Sequence, residues 1–233
     1  TLFYVAFLPG LLAVFASFLL KGKSNSEPID KKTPSFFSFL NYWKTSPIEY
    51  KKTVIGLLAF AVFNSSDVFL LLKAKQAGLN DTYVIGIYIF YNLVYAIAAL
   101  PIGILADKIG LKKMFIFGLS LFAIVYFGMA FSENSYLIAL FFFVYGVYAA
   151  ATEGVSKAWI SNICDKKDTA TAIGTYSGFQ SISALMASSF AGLIWYQFGA
   201  SATFITTGIG TILVIIYFSF FMKDKIIKND TPT

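Results

Sequence analysis

Seven apolar stretches, each long enough to cross a lipid bilayer, constrain the fold of this sequence more than any other feature. A membrane-spanning helix needs about 20 mostly apolar residues. The stretches are Leu2–Leu20, Thr53–Leu72, Tyr83–Leu105, Met114–Phe131, Tyr136–Ile160, Thr169–Phe198 and Ala202–Met222. Their length and number predict an all-α polytopic membrane protein.

Composition supports this fold class and narrows the chemistry. Hydrophobic residues make up 58% of the 233 residues and charged residues 13%, whereas soluble domains carry about 25% charged residues. Histidine is absent and every basic residue is a lysine, so proton chemistry would have to run through Asp, Glu, Lys or Tyr. The single Cys164 excludes an internal disulfide and a cysteine-based metal cluster. We therefore expect no metal site and no cofactor.

The ends and the linker define the organisation of the chain. The first stretch has no initiator Met and no charged n-region, so we interpret residues 1–20 as a membrane span of a longer chain rather than a signal peptide. Residues 21–52 are the only long polar segment and predict a linker. Four large apolar residues recur at helical spacing within it: Phe36, Phe39, Leu40 and Trp43. They favour a short helix in the membrane interface, with an irregular loop as the alternative.

Lysines indicate the orientation, because cytoplasmic loops of membrane proteins are enriched in them. If the linker is cytoplasmic, that side holds Lys21, Lys23, Lys31, Lys32, Lys44, Lys51, Lys52, Lys108, Lys112, Lys113, Lys166, Lys167, Lys223, Lys225 and Lys228. The other side holds only Lys73 and Lys75. The sequence thus predicts a multi-pass protein of the cell membrane whose linker and C-terminus are cytoplasmic. This asymmetry explains the net charge of +6 without a nucleic-acid partner.

The turn between the third and fourth stretches, "PIGILADKIGLKKMFIFG", carries a complete charged motif. Its residues Gly103, Asp107, Lys108, Gly110, Lys112 and Lys113 fit the pattern G-x-x-x-D-[KR]-x-G-x-[KR]-[KR]. This signature loop resembles that of the major facilitator superfamily of transporters. Physically, Gly103 would allow a close helix approach and Gly110 a tight turn, while Asp107 would face a helix N-terminus or a nearby base. An ordinary positively charged turn is the alternative.

The resemblance implies a position for each part of the chain. In that family the loop follows the second and the eighth of twelve helices, and here three spans precede it and four follow. Residues 1–20 would then be the last helix of an N-terminal half that is the missing partner of this chain, and residues 21–52 the cytoplasmic linker between the halves. Residues 53–222 would be the C-terminal six-helix bundle of two three-helix inverted repeats, followed by a cytoplasmic tail, residues 223–233.

Two shorter strings add to the resemblance. "NSSDVFLLLKA" and "TEGVSKAWI" are similar to strings of a prokaryotic, efflux-permease-like branch of the family. One pair of residues departs from the family pattern: Asp168 and Thr169 stand where relatives commonly carry an Arg-Gly pair.

Two carboxylates lie inside predicted spans that would be the first helices of the two repeats, which line the central cavity in this fold. They are Asp67 and Glu153. A charged side chain at mid-membrane costs about 2.5–3.5 kcal/mol on insertion scales and often marks a transport pathway. We expect Asp67, Glu153 and Lys157 to be candidates for proton coupling. Because Glu153 and Lys157 are four residues apart, a structural ion pair is an equally good interpretation of that pair.

Polar and aromatic side chains follow the predicted helix faces beside these carboxylates. The candidates for a substrate cavity are Asn64, Tyr88, Tyr91, Asn92, Tyr95, Tyr145, Tyr148, Thr152 and Gln180. Aromatic rings with a few polar groups suit an amphipathic organic solute. Plain helix contact is the alternative for the tyrosines.

The sequence thus predicts a secondary active transporter that moves a small organic solute across the lipid bilayer by alternating access, coupled to protons and suited to efflux. We do not expect an enzyme, because no nucleophile with a recognisable base is present. The alternative is a seven-helix receptor or sensor without transport activity. A retinal-binding photoreceptor would need a lysine in its last span, and Ala202–Met222 contains none.

Overall fold

Helices form nearly all of the chain that the structure describes. The computed structural model describes Phe15 and residues 38–222, so the rest of the predicted first span, residues 21–37 and the tail after Met222 lie outside the described residues. The helices are α1 (Ser38–Thr45), α2 (Ile48–Phe63), α3 (Val68–Gln76), α4 (Asp81–Ile109), α5 (Leu111–Phe131), α6 (Ser135–Ile163) and α7 (Thr169–Phe221), with one 3-10 turn at Lys166–Asp168. Residues 38–222 contain no strand.

Five helical segments of the described residues are long and apolar enough to cross a membrane: Ile48–Gln76, Asp81–Ile109, Leu111–Phe131, Ser135–Ile163 and Lys166–Phe221. Helix α7 alone has 53 residues and would measure about 80 Å if it were straight. The hydrocarbon core is only about 30 Å thick. This helix therefore has the length of two crossings.

Gly199 divides α7 into two arms, residues 169–198 and 200–221. Its φ of 85° and ψ of 176° lie in a region that glycine adopts readily and other residues do not. The start of the first arm is fixed to α2 by the Tyr50 hydroxyl, which donates to the Ala172 carbonyl at 2.8 Å. The end of the second arm returns there, because the Tyr217 hydroxyl donates to the Lys52 carbonyl at 2.9 Å. The chain thus reverses between the last two predicted spans.

Most lysines of the described residues lie at one end of this bundle. Lys112 at the start of α5 donates to the carbonyl of Met222, and at the opposite end the Ser201 hydroxyl donates to the Ala130 carbonyl at 2.7 Å. The helix ends and turns on the same side as Lys112 carry most of the lysines: Lys44, Lys51, Lys52, Lys108, Lys112, Lys113, Lys166 and Lys167. We call this side the lysine-rich end. The opposite end has Lys73 and Lys75.

Aromatic packing holds the centre of the bundle. Phe122 of α5 is fully buried, and its ring centroid lies 4.0 Å from that of Tyr126, 4.8 Å from Tyr148 and 5.0 Å from Phe60. Such pairs contribute about 0.5–1.5 kcal/mol each beyond area burial. These ring contacts hold α2, α5 and α6 against one another.

Small residues bring the helices close together. A Cβ atom at Gly146 of α6 would lie 2.7 Å from the Tyr91 carbonyl oxygen of α4 and 2.9 Å from Val94. A Cβ atom at Gly118 of α5 would lie 2.6 Å from the methyl group of Thr152. Membrane helices pack through such small residues because lipid supplies no hydrophobic force between them. Gly146 therefore sets the distance between α4 and α6.

The second predicted span, Thr53–Leu72, is not one continuous helix. It is divided into α2 and α3 by the four residues Asn64–Asp67. Asn, Ser and Asp compete with the helix for backbone hydrogen bonds, so four of them in a row favour a break. As a result, Asn64 and Asp67, which i, i+4, i+7 and i+11 spacing would place on one helix face with Phe60 and Leu71, do not lie on a continuous helical stripe.

Helix α1 corresponds to the short helix predicted in the linker. It packs at the lysine-rich end, where the Trp43 ring lies 5.6 Å from that of Phe179 and the Tyr42 ring 5.2 Å from that of Tyr50. Burial raises the pKa of the Tyr42 hydroxyl above its ordinary value. Tyr42 and Trp43 of α1 are therefore in contact with the helix bundle.

Candidate functional site

The break between α2 and α3 is held by specific hydrogen bonds. The Asn64 backbone N–H donates to the Phe60 carbonyl at 2.9 Å and ends α2. The Ser66 backbone N–H donates to the hydroxyl oxygen of Ser188, from the first arm of α7, at 3.2 Å. Unwound backbone inside a membrane protein needs such partners, because lipid offers none. The break is thus supported by a neighbouring helix.

Asp67 is the central residue of the candidate site. One oxygen of its half-buried carboxylate accepts a hydrogen bond from the Tyr145 hydroxyl at 2.6 Å, and the other accepts one from the Tyr91 hydroxyl at 2.7 Å. Distances of this kind are typical of hydroxyl groups that donate to an ionised carboxylate, and such bonds are about twice as strong as neutral ones. Because Tyr91 belongs to α4 and Tyr145 to α6, one carboxylate joins three helices.

The surroundings of Asp67 are aromatic. Tyr91 is 8% exposed and Tyr145 is 3% exposed, and their ring centroids are 5.4 Å apart. Tyr148 of α6 is 4% exposed, and its ring centroid lies 5.1 Å from that of Tyr145. No lysine among the described residues forms an ion pair with Asp67. The tyrosine hydroxyls are therefore the groups that stabilise its charge.

Buried oxygen atoms beside this carboxylate form the part of the site that sequence reasoning missed. Tyr126 is fully buried and Ser65 is 4% exposed, and Ser65 lies two residues before Asp67 in the break. Within the described part of the chain, the geometry gives neither hydroxyl a hydrogen-bond partner, and Asn64 Oδ1 at the same break also lacks one. The only signal in the sequence was that Tyr126 carries one of two hydroxyls in an otherwise apolar stretch, the other being that of Ser120.

The predicted cavity residues fall into two groups. Tyr145, Tyr148 and Thr152 are buried in the bundle with Tyr91, and the Thr152 hydroxyl donates to the Tyr148 carbonyl at 2.9 Å. The second group lies on more open surfaces. Its members are Tyr88, which is 41% exposed, and the half-buried Asn92, Tyr95 and Gln180.

The second carboxylate, Glu153, lies on the surface of α6. Glu153 and Lys157 are both exposed, and they do not form an ion pair with each other in residues 41–222. Glu153 interacts instead with Tyr95 of α4. The structure thus places Glu153 and Tyr95 together, apart from the buried pair of hydrogen bonds at Asp67.

The signature loop is a one-residue turn at the lysine-rich end. Gly110 joins α4 to α5 with φ 97°, a left-handed conformation that explains the glycine. Lys112 reaches the end of α7, as described above. Asp107 and Lys113 are exposed, and Asp107 has no ion pair among the described residues. A Cβ atom at Gly103 would have no described atom within 4 Å, so the predicted close approach there involves none of the described helices.

Within the described residues, no three or more His, Cys, Asp or Glu side chains form a group that could hold a metal ion. Asp67 is surrounded by hydroxyl groups, not by further carboxylates.

These features define a class of protein: an all-α, polytopic membrane bundle with a carboxylate at the break of a membrane helix. Residues 54–233 match the sequence model of the Major Facilitator Superfamily, and the chain belongs to this transporter family. An uncharacterized MFS-type transporter of Methanocaldococcus jannaschii is 31% identical over 179 residues. The match covers 74% of this chain but 44% of that protein, so the chain spans less than half the length of this curated relative.

Proposed function

We propose that the whole protein is a secondary active transporter that moves a small organic solute by alternating access, with proton coupling through Asp67. The observation that carries this proposal is the carboxylate of Asp67, held at a break in a membrane helix by two tyrosine hydroxyls from other helices. Ionisable groups within a membrane protein commonly serve as proton sites. Broken helices are a recurrent location for coupling sites in transporters.

Protonation would change the way in which Asp67 joins the helices. An ionised carboxylate only accepts hydrogen bonds, so it can accept from Tyr91 and Tyr145 at once. A protonated carboxyl group has one O–H that must itself donate, so at least one of the tyrosine hydroxyls has to turn or lose its acceptor. The contact of α3 with α4 or α6 would weaken. In this way the proton would favour one arrangement of the bundle over another.

Glu153 is the second candidate for proton coupling, with Lys157 beside it. Both are exposed on α6. In a bundle that forms half of a transporter, exposed charged groups of this kind would face the other half. The substrate cavity would lie between the halves, where Tyr88, Asn92, Tyr95 and Gln180 are accessible. Tyr91, Tyr145, Tyr148, Thr152 and Asn64 would support this wall from within. Aromatic rings next to polar groups suit an amphipathic organic solute.

We further propose the placement of the chain in the membrane and in the whole protein. The lysine-rich end would face the cytoplasm and the protein would reside in the cell membrane, because lysines are retained on the cytoplasmic side. Residues 1–20 would end the N-terminal half, residues 21–52 would form the linker, and residues 53–222 would form the C-terminal bundle. The similarity of "NSSDVFLLLKA" to efflux-type permeases favours export as the direction.

Flux in vesicles made with the full-length protein tests the proposal. We expect a pH gradient to drive accumulation of a transported amphipathic solute, and we expect Asp67→Asn to abolish its dependence on pH. Asp81→Asn is the matched control, because Asp81 is an exposed carboxylate paired with Lys75 at 2.8 Å. If Asp67→Asn and Glu153→Gln both left the pH dependence unchanged, the coupling assignment would be wrong. If no solute of a broad panel moved, the transport proposal itself would fail.

A further inference from the structure

An apolar groove lies where α1 meets the bundle at the lysine-rich end. Its volume is about 420 Å³, within the range of about 300–1,000 Å³ that ligand pockets commonly have. Helix α1 contributes Trp43 to its wall and the first arm of α7 contributes Phe179. The rest of the wall belongs to α2 and consists of Ile55, Leu58, Ala59 and Val62. Every described residue of the lining is apolar, so the groove suits a hydrocarbon chain.

The groove is open to the surface of the described bundle at the depth of a membrane interface. Ile55 is 49% exposed and Ala59 is exposed as well. Trp43 packs on the groove wall, because its ring lies 5.6 Å from that of Phe179. Tryptophan is enriched where lipid headgroups meet acyl chains, and the membrane-length segment of α2 begins nearby, at Ile48. An acyl chain can therefore reach the groove from the bilayer.

Three lysines stand at one end of this groove. Lys44 directly follows Trp43, and Lys51 and Lys52 precede Ile55 by one helical turn. Side chains on a helix lean toward its N-terminus, so the lysines of α2 extend away from the apolar wall and toward α1. The Lys51 ammonium does so, because it donates to the Lys44 carbonyl at 2.9 Å. An ammonium group has three N–H donors, so Lys51 can bind an anion there as well.

Neighbouring carboxylates do not cancel this positive charge. Glu49 lies in the first turn of α2 and offsets one of the three lysines. Residues 165–168, which precede α7, carry two lysines and two aspartates and add no net charge. An excess of positive charge thus remains beside an apolar groove. Basic clusters at the interfacial end of membrane helices bind anionic lipid headgroups.

We propose that the groove between α1, α2 and the first arm of α7 binds one anionic phospholipid from the membrane leaflet at the lysine-rich end. One acyl chain lies along the apolar α2 wall, and the headgroup phosphate lies at Lys44, Lys51 and Lys52. The bound lipid holds α1 against the bundle, because it contacts both. This inference goes beyond the proposed transport function and does not depend on proton coupling at Asp67.

Quenching of tryptophan fluorescence by brominated lipids tests the site in the purified full-length protein. The mole fraction of phosphatidylglycerol or phosphatidylcholine, with the same brominated chains, is raised in detergent micelles. The signal of Trp43 is the difference between each protein and the same protein with Trp43→Phe. We expect phosphatidylglycerol to quench this signal in a saturable way, at a mole fraction about tenfold lower than phosphatidylcholine requires.

One pair of double variants tests the headgroup contacts. Lys51→Gln combined with Lys52→Gln should raise the half-saturating mole fraction of phosphatidylglycerol about tenfold, because two ammonium groups are lost. Lys108→Gln combined with Lys113→Gln is the matched control. It removes two exposed lysines of the same end that do not adjoin the groove, so it should bind phosphatidylglycerol as the wild-type protein does.

A second pair of variants tests the position of the acyl chain. Ala59→Phe should raise the half-saturating mole fraction several-fold, because the added ring would occupy the groove. Ala96→Phe places the same ring at an exposed alanine of α4 outside the groove and should have no effect. Equal binding by Ala59→Phe and Ala96→Phe would refute the position of the chain.

Four further outcomes would overturn the lipid site. Equal half-saturation by the two lipids, or unchanged binding by the Lys51→Gln, Lys52→Gln protein, would exclude recognition of the anionic headgroup. Quenching that rises without saturation would indicate general lipid contact only. No quenching of Trp43 by either lipid would show that another segment of the full-length protein covers the groove. Displacement of the lipid by glycerol phosphate alone would assign the lysines to a soluble anion.

Discussion

Asp67 combines two properties that are seldom found together in a membrane helix. Its charge is half-buried among aromatic rings, and yet both carboxylate oxygens have short hydrogen bonds, at 2.6 Å and 2.7 Å, to hydroxyl groups. A hydroxyl donor stabilises the ionised form without cancelling its charge, in contrast to a lysine partner. The two tyrosine hydroxyls therefore hold the Asp67 carboxylate without neutralising it.

Glu153 and Lys157, unlike Asp67, are charged side chains on an exposed helix surface. Their spacing suits an ion pair on one helix face, but they remain exposed and unpaired with each other in the described bundle. An isolated charge facing lipid would be costly. We infer that this part of α6 faces water or the other half of the protein, and that the interaction with Tyr95 occurs at that surface.

At the scale of elements, the four residues Asn64–Asp67 convert one membrane crossing into two shorter helices. The break places the N-terminus of α3 beside Asp67 and releases the last carbonyl groups of α2 from the helical pattern. Within the break, the Ser66 backbone N–H donates to the hydroxyl oxygen of Ser188 from α7. The break is thus a structural element in its own right.

The spacing of α4 and α6 decides whether Tyr91 and Tyr145 both reach Asp67. We expect Gly146→Ala to push the helices apart, because the added Cβ would lie 2.7 Å from the Tyr91 carbonyl. Overpacking of this kind destabilises by about 1–3 kcal/mol. Thermal unfolding of the full-length protein should show a lower Tm, and pH-dependent transport should decrease.

Gly154→Ala is the control for this prediction. Gly154 lies on the same helix, but a Cβ atom there would meet no described atom within 4 Å. The Tm of the Gly154→Ala variant should therefore stay close to that of the wild-type protein. A Gly146→Ala variant with unchanged Tm and unchanged transport would show that the approach of α4 to α6 does not position the tyrosines.

Much of the element structure could be predicted from the sequence. Apolar length gave the crossings, the end of one stretch at Phe198 and the start of the next at Ala202 anticipated the reversal at Gly199, and the signature loop anticipated the turn at Gly110. The break could not be predicted from length, because α2 and α3 together have the length of one span. Its polar residues were interpreted as a helix face.

The composition of the candidate site was only partly predictable. Asp67 stood out as a carboxylate in an apolar stretch, but its partners are 24 and 78 residues away along the chain. Tyr91 and Tyr145 were predicted as cavity residues from helical periodicity. Periodicity indicates which side of a helix a residue occupies, but it does not indicate which atom the side chain contacts. Ser65 and Tyr126 gave no periodic signal at all.

For the whole molecule, we propose that the described bundle is one part of a longer protein. The curated relative is more than twice as long as the matched region, since that region covers 44% of it. Exposed aromatic and polar side chains such as Tyr88 on α4 and Glu153 on α6 would then face the remainder. The substrate path would then be shared between the halves, as expected for alternating access.

Orientation in the membrane is a property of the whole molecule and can be tested by labelling. Lys167 lies in the loop at the lysine-rich end and Glu133 in a loop at the opposite end, and both are exposed. In full-length protein without other accessible cysteines, we expect Glu133→Cys to react in intact cells with a membrane-impermeant maleimide. Lys167→Cys should react only after the cells are permeabilised. The reverse pattern would overturn the proposed cytoplasmic position of the lysine-rich end.

The protonation of Asp67 is the central claim, and infrared difference spectroscopy of the full-length protein in lipid vesicles tests it most directly. We predict that lowering the pH produces a C=O stretching band of a protonated carboxyl group that is absent in Asp67→Asn and retained in Glu153→Gln. A tyrosine C–O band should change with it and should be lost in Tyr145→Phe, because that hydroxyl donates to the same carboxylate. Identical spectra for the wild-type protein and Asp67→Asn over the pH range in which transport changes would contradict the claim.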